Sequence, residues 1–395
     1  MQQKQSAVSL SFSGFVALAV AMGIGRFAFT PLLPMMQSDA GLGLAEGGWL
    51  ASANYLGYLA GALAAAVLRC SPATLLRAGL LLVVVTTLLM GITGNWFSWL
   101  AWRFIAGFAS ACALVGTASL CLSRLAALGQ SQRAGMVFAG VGSGIAIAGL
   151  LCMGLGLALV RSSHAWLVLG LLALIGMWLA RPLWSRPPAT KASSPSSAET
   201  RLTTASYWKL VLCYGLFGFG YILPATFLPA QARMLVQDPA IFGLAWPLFG
   251  LAAAVSTVMA SRLFASWPRR AFWAVCQLIM AAGVLLPVIW PGMAAIMIAA
   301  LCVGGTFMVI TMLGMQEAQA TGGAKAKQLI AALTAAFATG QLLGPICFSL
   351  SHAWFNTDLD FALVLATAGL VAASVWLLIP DASAVPAAND AGSAH

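Results

Sequence analysis

The chain has 395 residues, of which 61% are hydrophobic and only 7% charged, and its mean hydropathy is +0.95. A soluble domain carries about a quarter charged residues, so 19 basic and 9 acidic side chains cannot cover a water-exposed fold of this length. That excludes a soluble enzyme, a nucleic-acid binder and a disordered chain, and it turns the net charge of +10 into a question of which bilayer face carries it.

Crossing roughly 30 Å of hydrocarbon takes about 20 apolar residues. In chain order, twelve segments meet that requirement: 10–34, 47–68, 74–93, 97–121, 134–159, 164–183, 207–231, 240–264, 271–290, 292–317, 327–350 and 359–379. The first follows Lys4 as a signal peptide would, yet Arg26 interrupts it and no small-residue cleavage pattern leads into a soluble domain, so it reads as a retained span. Residues 186–206, rich in Ser, Pro, Ala and Thr, read as a cytoplasmic linker between an N-terminal six-helix bundle (1–185) and a C-terminal one (207–380), with a short tail at 381–395. Cys70, Cys112, Cys121, Cys152, Cys213, Cys276, Cys302 and Cys347 lie in or beside apolar stretches without paired spacing, which implies neither disulfides nor a metal site.

Basic residues set the orientation. With the N-terminus cytoplasmic, Lys4, Arg69, Arg77, Arg124, Arg133, Arg181, Arg186, Lys191, Arg201, Lys209, Arg262, Arg269, Arg270, Lys325 and Lys327 fall inside, and only Arg161 and Arg233 fall outside. This is the positive-inside pattern, and it predicts both termini in the cytoplasm.

The halves also repeat. Gly23, Gly25, Leu33 and Pro34 recur 195 positions later as Gly218, Gly220, Leu228 and Pro229. Gly107 and Gly116 recur 198 later as Gly305 and Gly314, and Gly140 and Gly144 recur 200 later as Gly340 and Gly344. Three span pairs at nearly one offset indicate a duplicated unit, and because six is even the copies are parallel in the membrane. The predicted fold is all-α, twelve transmembrane helices in two pseudo-symmetric six-helix bundles.

Local motifs support a family resemblance. Arg103 and Gly107 form an RxxxG arrangement on span 4, residues 140–149 read GVGSGIAIAG on span 5, and Gly61, Leu63 and Ala64 begin a motif between spans 2 and 3 in which Ala65 replaces the usual acid. With the 6+6 repeat and the central loop, these resemble the major facilitator superfamily. The stretch GIGRFAFTPLLPMMQ from Gly23 to Gln37, followed by ANYLGYLAGA from Ala53 to Ala62, is similar to the YbfB/YjiJ-type branch of its bacterial transporters. The resemblance implies alternating-access secondary transport, a bacterial inner-membrane location and a monomer; the span 5 motif leans towards efflux.

Arg26 and Arg103 are the candidate residues with the sharpest physical signal. A guanidinium at bilayer depth costs on the order of 3 kcal/mol unless it faces protein, water or a partner. Both fall in the periplasmic half of their spans, and the resemblance puts helices 1 and 4 side by side at the central cavity. One reading is a pocket that binds a carboxylate through the planar guanidinium fork; the other is that each arginine donates to backbone carbonyls freed by nearby glycine or proline. Tyr221 aligns with Arg26 in the repeat and offers an aromatic wall, while Asn54 and Tyr58 share a helical face at i, i+4. Gln341 and Gln277 are further polar candidates.

The substrate-binding set is therefore Arg26, Arg103, Asn54, Tyr58, Tyr221 and Gln341. No acidic residue is expected at mid-membrane, which disfavours organic cations. Glu46 and Glu317, near span ends, are candidate coupling or gating residues, and Pro34 with Pro229 suggests a paired periplasmic gate. Protons or a counter-anion are the expected coupling partners, alongside a small-molecule substrate and the lipid bilayer. The sequence supports a transporter of a carboxylate-bearing or amphipathic anion. Its alternatives are a proton-coupled exporter of neutral sugar-like or drug-like compounds and a non-transporting receptor or scaffold. No catalytic constellation, nucleic-acid signature or cofactor motif accompanies these features.

Overall fold

The computed structural model describes residues 2–184, 203–235, 239–356 and 358–380; within these, the side chains of 2–5, 44, 226–235, 239–243 and 245 are left aside. Most of the proposed linker and the whole tail at 381–395 lie outside the described residues. Twelve helices among the described residues are long and apolar enough to cross a membrane. They are α1 Ser6–Asp39, α2 Ala45–Val67, α3 Pro72–Ile92, α4 Trp96–Ala127, α5 Ser131–Leu157, α6 Ser162–Leu183, α7 Thr204–Leu235, α8 Pro239–Leu263, α9 Arg269–Ile289, α10 Met293–Thr321, α11 Gly323–Phe355 and α12 Leu359–Leu378.

Local chemistry starts and stops these helices. Ser71 accepts from Thr74 N ahead of Pro72, Asn95 accepts from Phe97 N, and Asp358 accepts from Phe361 N, each satisfying an otherwise unpaired first-turn donor. Gly129 and Asn356 take left-handed conformations after α4 and α11, where a chain leaves a helix most easily. Several helices outrun the apolar stretches that define them in sequence. α4 continues from residue 121 to Ala127 because Ser123 returns its hydroxyl to Ser119 O at 2.7 Å and Arg124 donates to Leu183 O at 3.0 Å. Polar residues satisfied in this way need not end a span.

The two halves pack alike. Helix pairs α1–α5, α2–α4, α3–α4 and α3–α6 of the first half correspond to α7–α11, α8–α10, α9–α10 and α9–α12 of the second. The seam between halves is α5 on α8 and, by the same pseudo-symmetry, α11 on α2. Glycines make these approaches possible: Gly140 abuts Phe15 O on α1, and 200 residues later Gly340 abuts Gly215 O on α7. The repeat offset of 198 needs one local correction. Gly107 meets Asn54 on α2, but Gly305 meets open space, and it is Gly304 that packs on Phe249 of α8.

The α5–α8 seam is built on small residues. Gly135, Gly142 and Gly149, each seven apart, face Ser261, then Gly250 with Ala254, then Pro247. A seam without interlocking side chains lets two helices slide or tilt while their backbones stay close. α4 and α5 also touch α10, and α4 touches α11; the end where α1 begins is here the proximal end. There Lys327 Nζ donates to Leu68 O at 2.7 Å and Cys70 O at 3.2 Å, and Gln316 Nε2 donates to Ser131 O at 3.4 Å.

Candidate functional site

The middle of α1 is not an ordinary helix. Residues Ala19–Phe27 form a π-helical stretch, the wide register that inserts one residue per turn and recurs at functional sites. Gly23 in this stretch lies against the backbone of Gly144 on α5, so the distorted turn is held flush to its neighbour. Pro31, five residues after Arg26, has no N–H to offer in this register, which leaves the Arg26 carbonyl without that donor.

Arg103 on α4 supplies one. It is 3% exposed; its Nη1 donates to Gly25 O and its Nη2 to Arg26 O, each at 3.4 Å, and its guanidinium lies 4.6 Å from the Phe29 ring centroid. Asn54 on α2, fully buried, donates through Nδ2 to Arg103 O at 3.0 Å. Of the two readings open for Arg103 in sequence, the structure has the arginine donating to backbone carbonyls. Asn54 and Arg103 thus tie α2, α4 and the π-helical turn of α1 together.

Arg26, at 3% exposure, projects from that turn towards the second half. Its Cζ lies 3.8 Å from the Tyr58 ring centroid, 5.5 Å from Tyr55 and 5.6 Å from Phe27, so ring quadrupoles offset part of the cost of a buried cation. Its Nη2 donates to Gln341 Oε1 on α11, a bond that crosses between the halves. Nε and Nη1 have no hydrogen-bond partner among the described residues. Neither Arg26 nor Arg103 has an ion-pair partner among the described residues, so two permanent positive charges stand at the centre without a carboxylate.

The second half answers with aromatic rings. Trp246 and Phe249 stack at 5.5 Å, Phe249 and Phe307 at 5.1 Å, and Phe307 and Tyr221 at 5.3 Å, giving a nearly parallel column along α8, α10 and α7. Phe337 of α11 adjoins Tyr221 at 5.9 Å, and Phe27 of α1 meets the column at Phe307 and Trp246. Between the halves lies a cavity of about 20 Å³ lined by Tyr58, Leu114, Val141, Tyr214, Thr311 and Phe337 among others. That is room for a water and not for an organic solute. A larger cavity of about 300 Å³ opens at the proximal end, beside Gln132, Ser261, Arg269 and Gln316.

Of the residues singled out in sequence, Arg26, Tyr58 and Gln341 meet directly, and Asn54 and Arg103 support them from behind. Tyr221 joins through the ring column. Gln277 is fully buried on α9 with neither amide atom partnered, and it does not join this set. Glu46 is remote: it accepts from Gly43 N at 2.8 Å as an exposed cap at the start of α2. Glu317, 6% exposed near the proximal end of α10, accepts from Arg269 Nε at 3.0 Å and Arg270 Nε at 2.7 Å. Pro34 is exposed in the distal part of α1, and the side chain of Pro229 lies outside the described residues. Sequence reasoning missed Phe307, Phe337, Trp246 and Phe249, because an aromatic residue in an apolar span carries no mark of which way it faces.

A family model described as "Uncharacterised MFS-type transporter YbfB" matches residues 18–378, and the chain belongs to that family. Among solved structures, the human organic anion transporter MFSD10 (TETRAN) superposes with a TM-score of 0.72 at 15% identity, over 94% of this chain and 99% of that one. The major facilitator superfamily transporter FucP in the outward conformation gives 0.69 at 16% identity, over 93% and 97%. A variant of the E. coli fucose:proton symporter FucP gives 0.65 at 15% identity, over 95% and 98%. No curated protein matches the sequence. Family and fold together identify a multi-pass membrane transporter of the major facilitator superfamily.

Proposed function

We propose that this transporter moves a small organic anion by alternating access, the two six-helix halves rocking about the Arg26 centre. One observation carries the reading: a guanidinium 97% buried, with no carboxylate partner among the described residues and two of its three nitrogens unpartnered. An unsatisfied buried donor costs free energy, and a charged one costs more, so its retention is explained by a ligand that completes it in another conformer. The fold is shared with an organic anion transporter and with a fucose:proton symporter, so it does not choose the cargo; the uncompensated charge favours the anion. The aromatic column suits an apolar or aromatic body attached to that anion.

Coupling by the substrate's own proton, or by exchange for a second anion, fits a centre built without a carboxylate. The GVGSGIAIAG segment on α5 supports export, the charge asymmetry supports both termini in the cytoplasm, and the family supports a monomer in a bacterial inner membrane. The test is flux into proteoliposomes of purified protein over a panel of carboxylates, sugars and organic cations, with Arg26→Gln and Arg26→Lys beside the wild type. Carboxylate flux should fall at least about tenfold in Arg26→Gln, the loss of a hydrogen-bonded charge pair, with partial retention in Arg26→Lys. Transport of cations or sugars alone, or full carboxylate flux in Arg26→Gln, refutes the reading.

A further inference from the structure

The proximal cavity of about 300 Å³ is large enough for a small organic molecule and shares no lining residue with the Arg26 centre. Both halves build it. Ser131 and Gln132 come from the first half, Arg269 and a cluster of three rings from the second, and Gln316 Nε2 joins the two sides by donating to Ser131 O at 3.4 Å. The rings are Phe264, Trp267 and Phe272, with centroids 4.8 to 5.9 Å apart. Arg269 is the one charged residue in the lining among the described residues, and no acid accompanies it there. Its Nε donates to Glu317 Oε2 at 3.0 Å, a carboxylate it shares with Arg270, while neither Nη1 nor Nη2 makes a hydrogen bond among the described residues. The side chain is 46% exposed, so the end-on edge of the guanidinium is open to a carboxylate. The backbone adds a field of the same sign. Ser131 and Gln132 lie in the first turn of α5 and Arg269 in the first turn of α9, and neither turn has a side-chain cap. Uncapped helix starts present unpaired N–H groups and a partial positive charge.

We propose that this cavity is a second, inhibitory site for a soluble organic anion with an aromatic body, and that its occupation holds the proximal ends of the two halves together. The guanidinium edge and the two helix starts receive the anionic group, and the three rings receive the body. Parting the halves at this end breaks the bond from Gln316 to Ser131 and draws the walls apart. The anion therefore binds the proximally closed conformer more tightly than the open one and shifts the population towards it. A transporter held in one conformer stops cycling, so the ligand arrests transport without competing at Arg26. The arrest rests on the alternating-access reading above; the binding does not, since Arg26 takes no part in it.

The test is calorimetric binding of 2-naphthoate to the purified full chain carrying Arg26→Gln, a background that keeps the central guanidinium out of the measurement. The compound should bind, and 2-naphthylmethylammonium, of the same shape and opposite charge, should not. Adding Arg269→Gln should weaken binding at least about tenfold. Adding Ala126→Trp, which fills the cavity from α4 and leaves Arg269 and Glu317 in place, should abolish it. Saturating 2-naphthoate should also slow maleimide labelling of Cys70 at the proximal end severalfold, an effect that Ala126→Trp removes. Absence of 2-naphthoate binding in the Arg26→Gln background, or unchanged affinity in either further variant, overturns the site and leaves the central anion reading untouched. Equal binding of the ammonium compound overturns the anion assignment. Displacement of 2-naphthoate by phosphatidylglycerol in mixed micelles assigns the site to a lipid headgroup and overturns the soluble ligand. Binding without slower Cys70 labelling overturns the clamp.

Discussion

Substituting Gly142 by alanine tests whether the halves move along the α5–α8 seam. A Cβ built on Gly142 comes within 2.5 Å of Ala254 N and Gly250 O on the facing helix, and a Cβ on Gly250 comes equally close to Gly142 O and Ala146 N. Those contacts are backbone, which no rotamer change relieves. Reaching the 3.4 Å of ordinary van der Waals contact requires the helices to part by about 0.9 Å at their closest point. Overpacking of that kind costs about 1–3 kcal/mol. It also sets a methyl group against the backbone along which the helices must tilt. Gly154, on the same helix, has nothing within 4 Å of its Cβ position and serves as the internal control. Gly142→Ala should melt several degrees below wild type in detergent and lose most proteoliposome flux; Gly154→Ala should match or exceed wild-type stability, since alanine favours helix over glycine by up to about 1 kcal/mol. Equal stability and flux for Gly142→Ala and wild type would refute the claim that the seam is packed to backbone contact and that transport depends on it.

Other expectations follow from the same contacts. Glu317→Gln removes the charge that pairs with Arg269 and Arg270 and turns one of the two accepting oxygens into a donor; those arginine side chains are 46% and 24% exposed, so the loss should lie between exposed and buried pairs, about 1–3 kcal/mol, measured as melting temperature at low salt. No change there would mean that the cluster is not structural. Lys327→Met frees the carbonyls of Leu68 and Cys70 at the proximal end, where that lysine caps α2 from the opposite half. The thiol of Cys70, half-buried and free, should then react severalfold faster with a maleimide as the proximal contacts open, a rate change that mass spectrometry localises; an unchanged rate would rule Lys327 out as a latch.

The latch has a bearing on one sequence feature. The motif between spans 2 and 3 carries Ala65 where the family resemblance expects an acid. In the folded chain the same end of α2 is tied to the other half by a cation on helix carbonyls. A contact made by Lys327 to backbone leaves no trace in the α2 sequence, so the missing acid was legible there and this tie was not.

The number of spans, their grouping into two parallel halves and the presence of two charges at bilayer depth were legible in the sequence. Hydrocarbon admits only segments whose backbone is satisfied internally, and the cost of burying charge marks Arg26 and Arg103 wherever they lie in three dimensions. Glycines at repeated offsets carried the pseudo-symmetry for a similar reason, since close helix approach tolerates little else. The tertiary structure alone decided which arginine meets backbone and which meets the other half. That choice hangs on a π-helical turn in α1, on the facing of α4, and on Gln341 arriving from 315 residues away. Side-chain direction across a seam depends on how two bundles are docked, and residue type constrains docking far more weakly than it constrains depth in the membrane.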